Sequence, residues 1–100
     1  MSVIVLVKFR GDPGTVEAMR QDRPAAFETI AAEARRHGGQ HHRTAVRGSE
    51  ILIIDEWHSV EEFDSFYPGK PGLLQALDDL GFDEAPEVSY WDPMPGPGDF

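Results

Sequence analysis

The sequence predicts an α+β fold of order β-α-β-β-α-β, a ferredoxin-like plan in which a four-stranded antiparallel sheet carries its helices on one face. Three observations predict it. Residues 1–9 alternate into two apolar rows, Val3/Val5/Val7/Phe9 and Ile4/Leu6, the pattern of a strand buried on both sides. Phe27, Ile30, Ala31 and Ala34 recur at helical spacing. Ile51, Leu52, Ile53 and Ile54 run through Asp55 and Glu56 to Trp57, and a helix signal follows at once in Ser59 and Glu62.

Taken in order, Gly11, Asp12, Pro13 and Gly14 break the first strand, and residues 15–20 predict a short helical turn carrying Val16 and Met19. Asp22 is the expected cap of the next helix, with Pro24 tolerated in the first turn, where a missing N–H costs nothing. Arg35, Arg36 and His37 suit the negative end of that helix, and Gly38 and Gly39 end it. Residues 40–47 and 50–58 read as strands joined at Gly48 and Ser49. Glycine in the first turn position favours a two-residue type II′ hairpin. Ser59 and Glu62 form a capping box for a helix with Val60, Phe63 and Phe66 on one side. Prolines and glycines over residues 68–72 interrupt it. Leu73, Leu74, Leu77 and Leu80 predict a further short helix, and residues 87–91 a last strand. A single domain is expected over residues 1–92, with a Pro/Gly-rich tail at 93–100 that sustains no regular element.

Composition excludes several classes of function. At 100 residues, 40% hydrophobic and 27% charged, the chain suits one soluble domain. No run approaches the ~18 apolar residues of a membrane span, and the N-terminus lacks the marks of a signal peptide, so a cytoplasmic setting is expected. Without cysteine there is no disulfide framework, thiolate metal site or cysteine nucleophile. The net charge of −9 and the scarcity of lysine, Lys8 and Lys70 alone, argue against nucleic acid and anionic membranes as partners. Gly11 and Gly14 lack the spacing of a nucleotide-binding loop, and no serine sits in a nucleophile elbow. His37 reads as a helix-end cation and His58 as a strand-end residue. His41 and His42, being consecutive in a strand, point to opposite faces, so neither a metal nor another cofactor is expected.

A two-residue turn sets Arg47 opposite Glu50 and thereby fixes the rest of the hairpin. On one face His42 falls opposite Asp55, Thr44 opposite Ile53, Val46 opposite Ile51 and Gln40 opposite Trp57. On the other, His41 falls opposite Glu56, Arg43 opposite Ile54 and Ala45 opposite Leu52. Each carboxylate meets a histidine, and a one-residue slip would separate both pairs. The Trp57 row is the more apolar and belongs under the helices. There a histidine oriented by a carboxylate suits a general base or a ligand contact, while its bland alternative is a satisfied polar pair in a core cleft. The candidate catalytic residues are therefore His42 and Asp55. Trp57, Phe63, Tyr67 and Phe27 are the candidate substrate-binding residues, although most of the aromatic residues are expected to be core. The second, partly apolar sheet face needs a cover, and a homodimer formed sheet to sheet supplies one.

The run Ile51 to Trp57, followed by Ser59 and Phe63 after a β-α-β opening, resembles the antibiotic biosynthesis monooxygenase-like (ABM) proteins of the dimeric α/β-barrel superfamily. The resemblance covers residues 3–91. It implies ferredoxin-like protomers pairing sheet to sheet as a dimeric α/β barrel, with a pocket between sheet and helices in each. Members oxidise polycyclic polyketides without metal or flavin, degrade haem, or have no assigned activity. Trp57 matches the strand-end tryptophan that lines the pocket of the oxygenases. The haem-degrading members use an asparagine on the first strand and a histidine on the later helix. This chain has Val5, Leu6, Val7 and Lys8 in the one place, and Leu73, Leu74, Gln75, Ala76 and Leu77 in the other. Where the polyketide oxygenases carry an asparagine a few residues before the tryptophan, this chain has Asp55.

Three readings follow. The chain is a cofactor-independent monooxygenase acting on an aromatic or polyketide-like substrate, a non-catalytic ligand-binding or stress-associated dimer, or a structural dimerisation module with a filled core.

Overall fold

The computed structural model describes residues 2–66 and 86–100. Its elements are β1 (Val3–Arg10), α1 (Pro13–Asp22), α2 (Pro24–Arg36), β2 (Gly39–Arg47), β3 (Glu50–Trp57), α3 (Val60–Phe66) and β4 (Glu87–Trp91). The four strands form one sheet in the order β2-β3-β1-β4, every neighbour antiparallel. That order is the ferredoxin-like arrangement. The expected leucine helix around Leu73 to Leu80 lies outside the described residues.

Two helices, not one, connect β1 to β2. Asp12 caps α1, its Oδ1 accepting from the Gly14 N–H at 2.9 Å, and Pro13 enters at the first turn. The expected turn over residues 15–20 therefore extends to Asp22. This overturns the expected role of Asp22, which ends α1 and does not cap α2. The cap position of α2 falls to Arg23, which makes no side-chain capping bond and whose own N–H closes α1 on the Met19 carbonyl at 2.9 Å.

The buried core is one face of the sheet with its helical cover. Val3, Val5, Val7 and Phe9 from β1 meet Ile51 and Trp57 from β3 and Phe63 from α3. Val16, Ala34, Val60 and Phe66 pack onto them from the three helices. Burying each of the larger side chains contributes ~1.5–3 kcal/mol. The opposite row of the sheet (Ile4, Leu6, Leu52 and Ile54) is only half-buried, and Trp91 beyond it is 57% exposed. Within the single chain β1 is thus fully buried on one side and half-buried on the other, the side for which the sequence predicts a cover.

The hairpin register is the one a two-residue turn dictates, from Arg47↔Glu50 to His41↔Glu56. Gly48 has φ +59° and Ser49 does not share the positive region, as a type II′ turn requires. Arg47 closes the turn onto Glu50 at 2.8 Å. That hydrogen bond, reinforced by the arginine charge, holds the Glu50 carboxyl below its ordinary value. One pairing differs. Trp57 stands opposite Gly39, because a bulge at the start of β2 leaves Gln40 as the extra residue. The bulge lets the end of α2 lie close on the sheet. A Cβ at Gly39 would come within 2.9 Å of the Ala34 carbonyl oxygen, so only glycine fits without a backbone shift.

Ser59 caps α3 as expected, its Oγ accepting from the Glu62 N–H at 3.1 Å. The same short helix is tied to the edge strand by Tyr90, whose ring meets Phe63 edge-on at 6.1 Å. Desolvation, the charge of Asp64 and a hydrogen bond to it raise the Tyr90 pKa above its ordinary value. A raised phenol pKa favours the neutral form in the folded state. Its contribution to stability is therefore complete below the unfolded value and lost as pH rises through the folded one. In a Tyr67→Phe background, the remaining phenolate absorbance is expected to titrate above pH 10, and Asp64→Asn to move it down. An unshifted titration in both proteins would contradict the Tyr90–Asp64 contact.

Candidate functional site

Alternation along β3 places Asp55 and Trp57 on the helical face, two residues apart, with Val5 beside Asp55 on β1 and His42 beside it on β2. Asp55 is 6% exposed in these apolar surroundings, and a carboxylate there is costly unless it is paired. It is paired twice. Trp57 Nε1–H donates to Oδ2 at 3.1 Å, and His42 Nδ1 lies 2.6 Å from Oδ1. As a carboxylate Asp55 only accepts, so Nδ1 of His42 carries the proton and Nε2 of the neutral ring is left as an acceptor. His42 is 60% exposed, which leaves that nitrogen open to a bound molecule.

The triad borders a cavity of about 470 Å³ between the sheet and α2. Trp57 lines it while only 2% exposed, so it shows the cavity little of its surface. Phe66 stands 5.4 Å from it, ring centre to ring centre, and continues the aromatic wall. Phe27, Ile30, Ala31 and Ala34 of α2 make the opposite side. Apolar walls with a few convergent polar groups are the usual make-up of a small-molecule site.

The structure brings together four of the six candidate residues: His42, Asp55, Trp57 and Phe27. Phe63 is instead a core residue, packed edge-on against Trp57 at 5.5 Å and absent from the cavity wall. Tyr67 lies outside the described residues. The helical spacing of Ile30, Ala31 and Ala34 is legible in the sequence, but the stripe reads as packing. Ile30 is in fact 49% exposed because the stripe fronts the cavity. Arg20, Arg35 and Phe66 carry no sequence signal for the site. His41 and Glu56 are opposed in register, yet no hydrogen bond or ion pair joins them among the described residues. His37 caps the end of α2 and His58 lies 3.5 Å from Glu62. Among the described residues no three His, Asp or Glu side chains converge at metal-binding distance.

Solved structures share this architecture. A monooxygenase from the gene ActVA-Orf6 of Streptomyces coelicolor, in complex with nanaomycin D, superposes with a TM-score of 0.68 at 13% identity, over 99% of this chain and 93% of that one. SnoaB, a cofactor-independent oxygenase from Streptomyces nogalater, gives 0.65 at 18% identity over 98% of each chain. The chain has the ABM-type ferredoxin-like fold. Rv0793 from Mycobacterium tuberculosis shares it at 0.62 and 19% identity, over 96% of this chain and 98% of that one. At these identities the likeness establishes the ABM fold and nothing about the residues of the cavity. No family model and no curated protein matches the sequence. No helix among the described residues is long and apolar enough to cross a membrane.

Proposed function

We propose that this chain binds an apolar, aromatic small molecule in the cavity at Trp57, as a homodimer paired through the open sheet face, and acts on it as a cofactor-independent monooxygenase. The observation that carries the proposal is the Asp55 carboxylate holding His42 by Nδ1 at the edge of that cavity, with Nε2 free to take a proton. His42 removes the phenolic proton of a substrate whose ring carbon para to that oxygen bears a hydrogen, so that the negative charge is shared with that carbon. The carbanionic ring carbon then passes its electrons to dioxygen and bonds to it. His42 returns the proton to the peroxide formed there. Loss of water from the resulting hydroperoxide leaves a ketone, one oxygen atom in the product and the other in water. ABM-fold oxygenases such as SnoaB, described as cofactor-independent, support this reading at the level of the fold.

A non-catalytic ligand-binding dimer is the second reading, favoured by the 60% exposure of His42, since a general base works best where water is excluded. The cavity beside Trp57 weighs against a structural module with a filled core. The sheet pairing is supported by the half-buried apolar row of Ile4, Leu6, Leu52 and Ile54.

Native mass spectrometry of the protein purified from its own host tests the proposal. The expected species has twice the 11.1 kDa chain mass and carries retained apolar ligand. Its ligand should convert to an oxygenated product under air if the enzyme reading holds, and stay unchanged if the binder reading holds. A ligand-free monomer would oppose both.

A further inference from the structure

We propose that the cavity selects an amphipathic anion, an aromatic body bearing a carboxylate, and that Arg20 and Arg35 are its specificity-determining residues. The inference rests on the reading of the cavity as the ligand site.

The chain has twice as many acidic as basic residues, 18 against 9, yet the cavity reverses that balance. Among the described residues that line it, Asp55 is the only acid, and both of its oxygens are taken by Trp57 and His42. Two arginines, Arg20 and Arg35, line the same space from two different helices, and neither makes an ion pair among the described residues. Arg20 of α1 donates to a neutral oxygen, Thr44 Oγ1, at 2.9 Å. Thr44 lines a neighbouring cavity of about 380 Å³, so Arg20 stands between the two cavities, and Thr44 and His42 lie on the same face of β2 about 7 Å apart along the strand. Arg35 follows Ala31 by one helical turn and so shares the cavity face of α2. Among the described residues its side chain makes one hydrogen bond, a long one of 3.5 Å from Nε to the Ala31 carbonyl, which leaves the terminal nitrogens for a ligand. Elsewhere the same chain closes arginines onto acids, Arg36 onto Glu33 and Arg47 onto Glu50.

A planar guanidinium matches a carboxylate with two parallel hydrogen bonds, and such charge-assisted pairs are about twice as strong as neutral ones. The apolar walls of Phe27, Ile30, Trp57 and Phe66 leave the rest of the ligand a hydrophobic slot. With a net charge of −9, the protein as a whole repels anions. Binding of one must therefore come from these local cations, and it must weaken as salt screens them.

Isothermal titration with 2-naphthoate and its neutral isostere 2-naphthamide decides the matter. Wild-type protein is expected to bind the carboxylate at least ~10-fold more tightly than the amide, with the preference shrinking in added salt. Arg20→Gln with Arg35→Gln should abolish the preference while leaving amide affinity within about 2-fold. The single change Arg35→Lys, which keeps the charge and loses the fork, should retain part of it. Far-UV circular dichroism and urea midpoints check that the variants fold. Equal affinity for both probes, or a preference that survives the double substitution, overturns the inference and leaves the cavity reading standing. Binding of neither probe defeats both.

Discussion

Trp57→Ala is expected to lower the free energy of unfolding by about 3–5 kcal/mol, measured as a fall in urea midpoint at unchanged slope. Two losses combine. The indole is among the largest fully buried side chains, and its removal takes the partner from Phe63 at 5.5 Å and Phe66 at 5.4 Å. It also takes one donor from the buried Asp55 carboxylate, a further loss of about 1–3 kcal/mol when no water replaces it. The two contributions overlap where water enters through the cavity that already borders the site. Trp57→Phe separates them. It keeps most of the packing and removes the N–H, so it should cost about 1–2 kcal/mol. A loss below ~1 kcal/mol in the alanine variant would mean that Trp57 does not close the core as described.

His42→Ala is expected to reduce turnover of a confirmed substrate by roughly 10²–10⁴-fold, with KM changed far less, because a general base acts in the transition state. Asp55→Asn should fall in the same range for a different reason. An amide has one accepting oxygen, and cannot receive both His42 Nδ1–H at 2.6 Å and Trp57 Nε1–H at 3.1 Å. Either the indole loses its partner or the imidazole takes the tautomer with Nε2 protonated, which cannot accept a proton. Single-turnover rates with both variants check this. Unchanged rates in both would remove His42 and Asp55 from the chemistry, and a wild type that binds without turnover would make this a binding protein.

Much of this site is legible in the sequence because strand geometry is strict. Once Gly48 and Ser49 are a two-residue turn, His42 must face Asp55, and alternation must put Trp57 beside it. Register says nothing of contact, however, and the parallel case shows it. His41 and Glu56 are paired by the same arithmetic and make no bond. The difference is burial. Asp55 lies under the helices, where an unpaired carboxylate is too costly, whereas Glu56 is half-buried on the open face, where water can reach it, and has no partner among the described residues. Phe63 illustrates the converse. Its spacing on α3 brings it to Trp57, but against the ring, in the core, and not into the cavity.

The chain by itself determined where the strands fall along it, the hairpin register that sets His42 opposite Asp55, and the capped helix at Ser59. Each follows from local rules, alternation with period two, turn chemistry and capping, that act over a few residues. The rest was decided by the tertiary structure. The bulge that sets Gly39 and not Gln40 opposite Trp57 arises where α2 meets the sheet, in the close approach of Ala34 to Gly39. The cavity, and the gathering of Arg20 and Arg35 around it, depends on how two helices lie over one sheet. Those distances are set between elements far apart in the chain, and no local pattern of residues carries them.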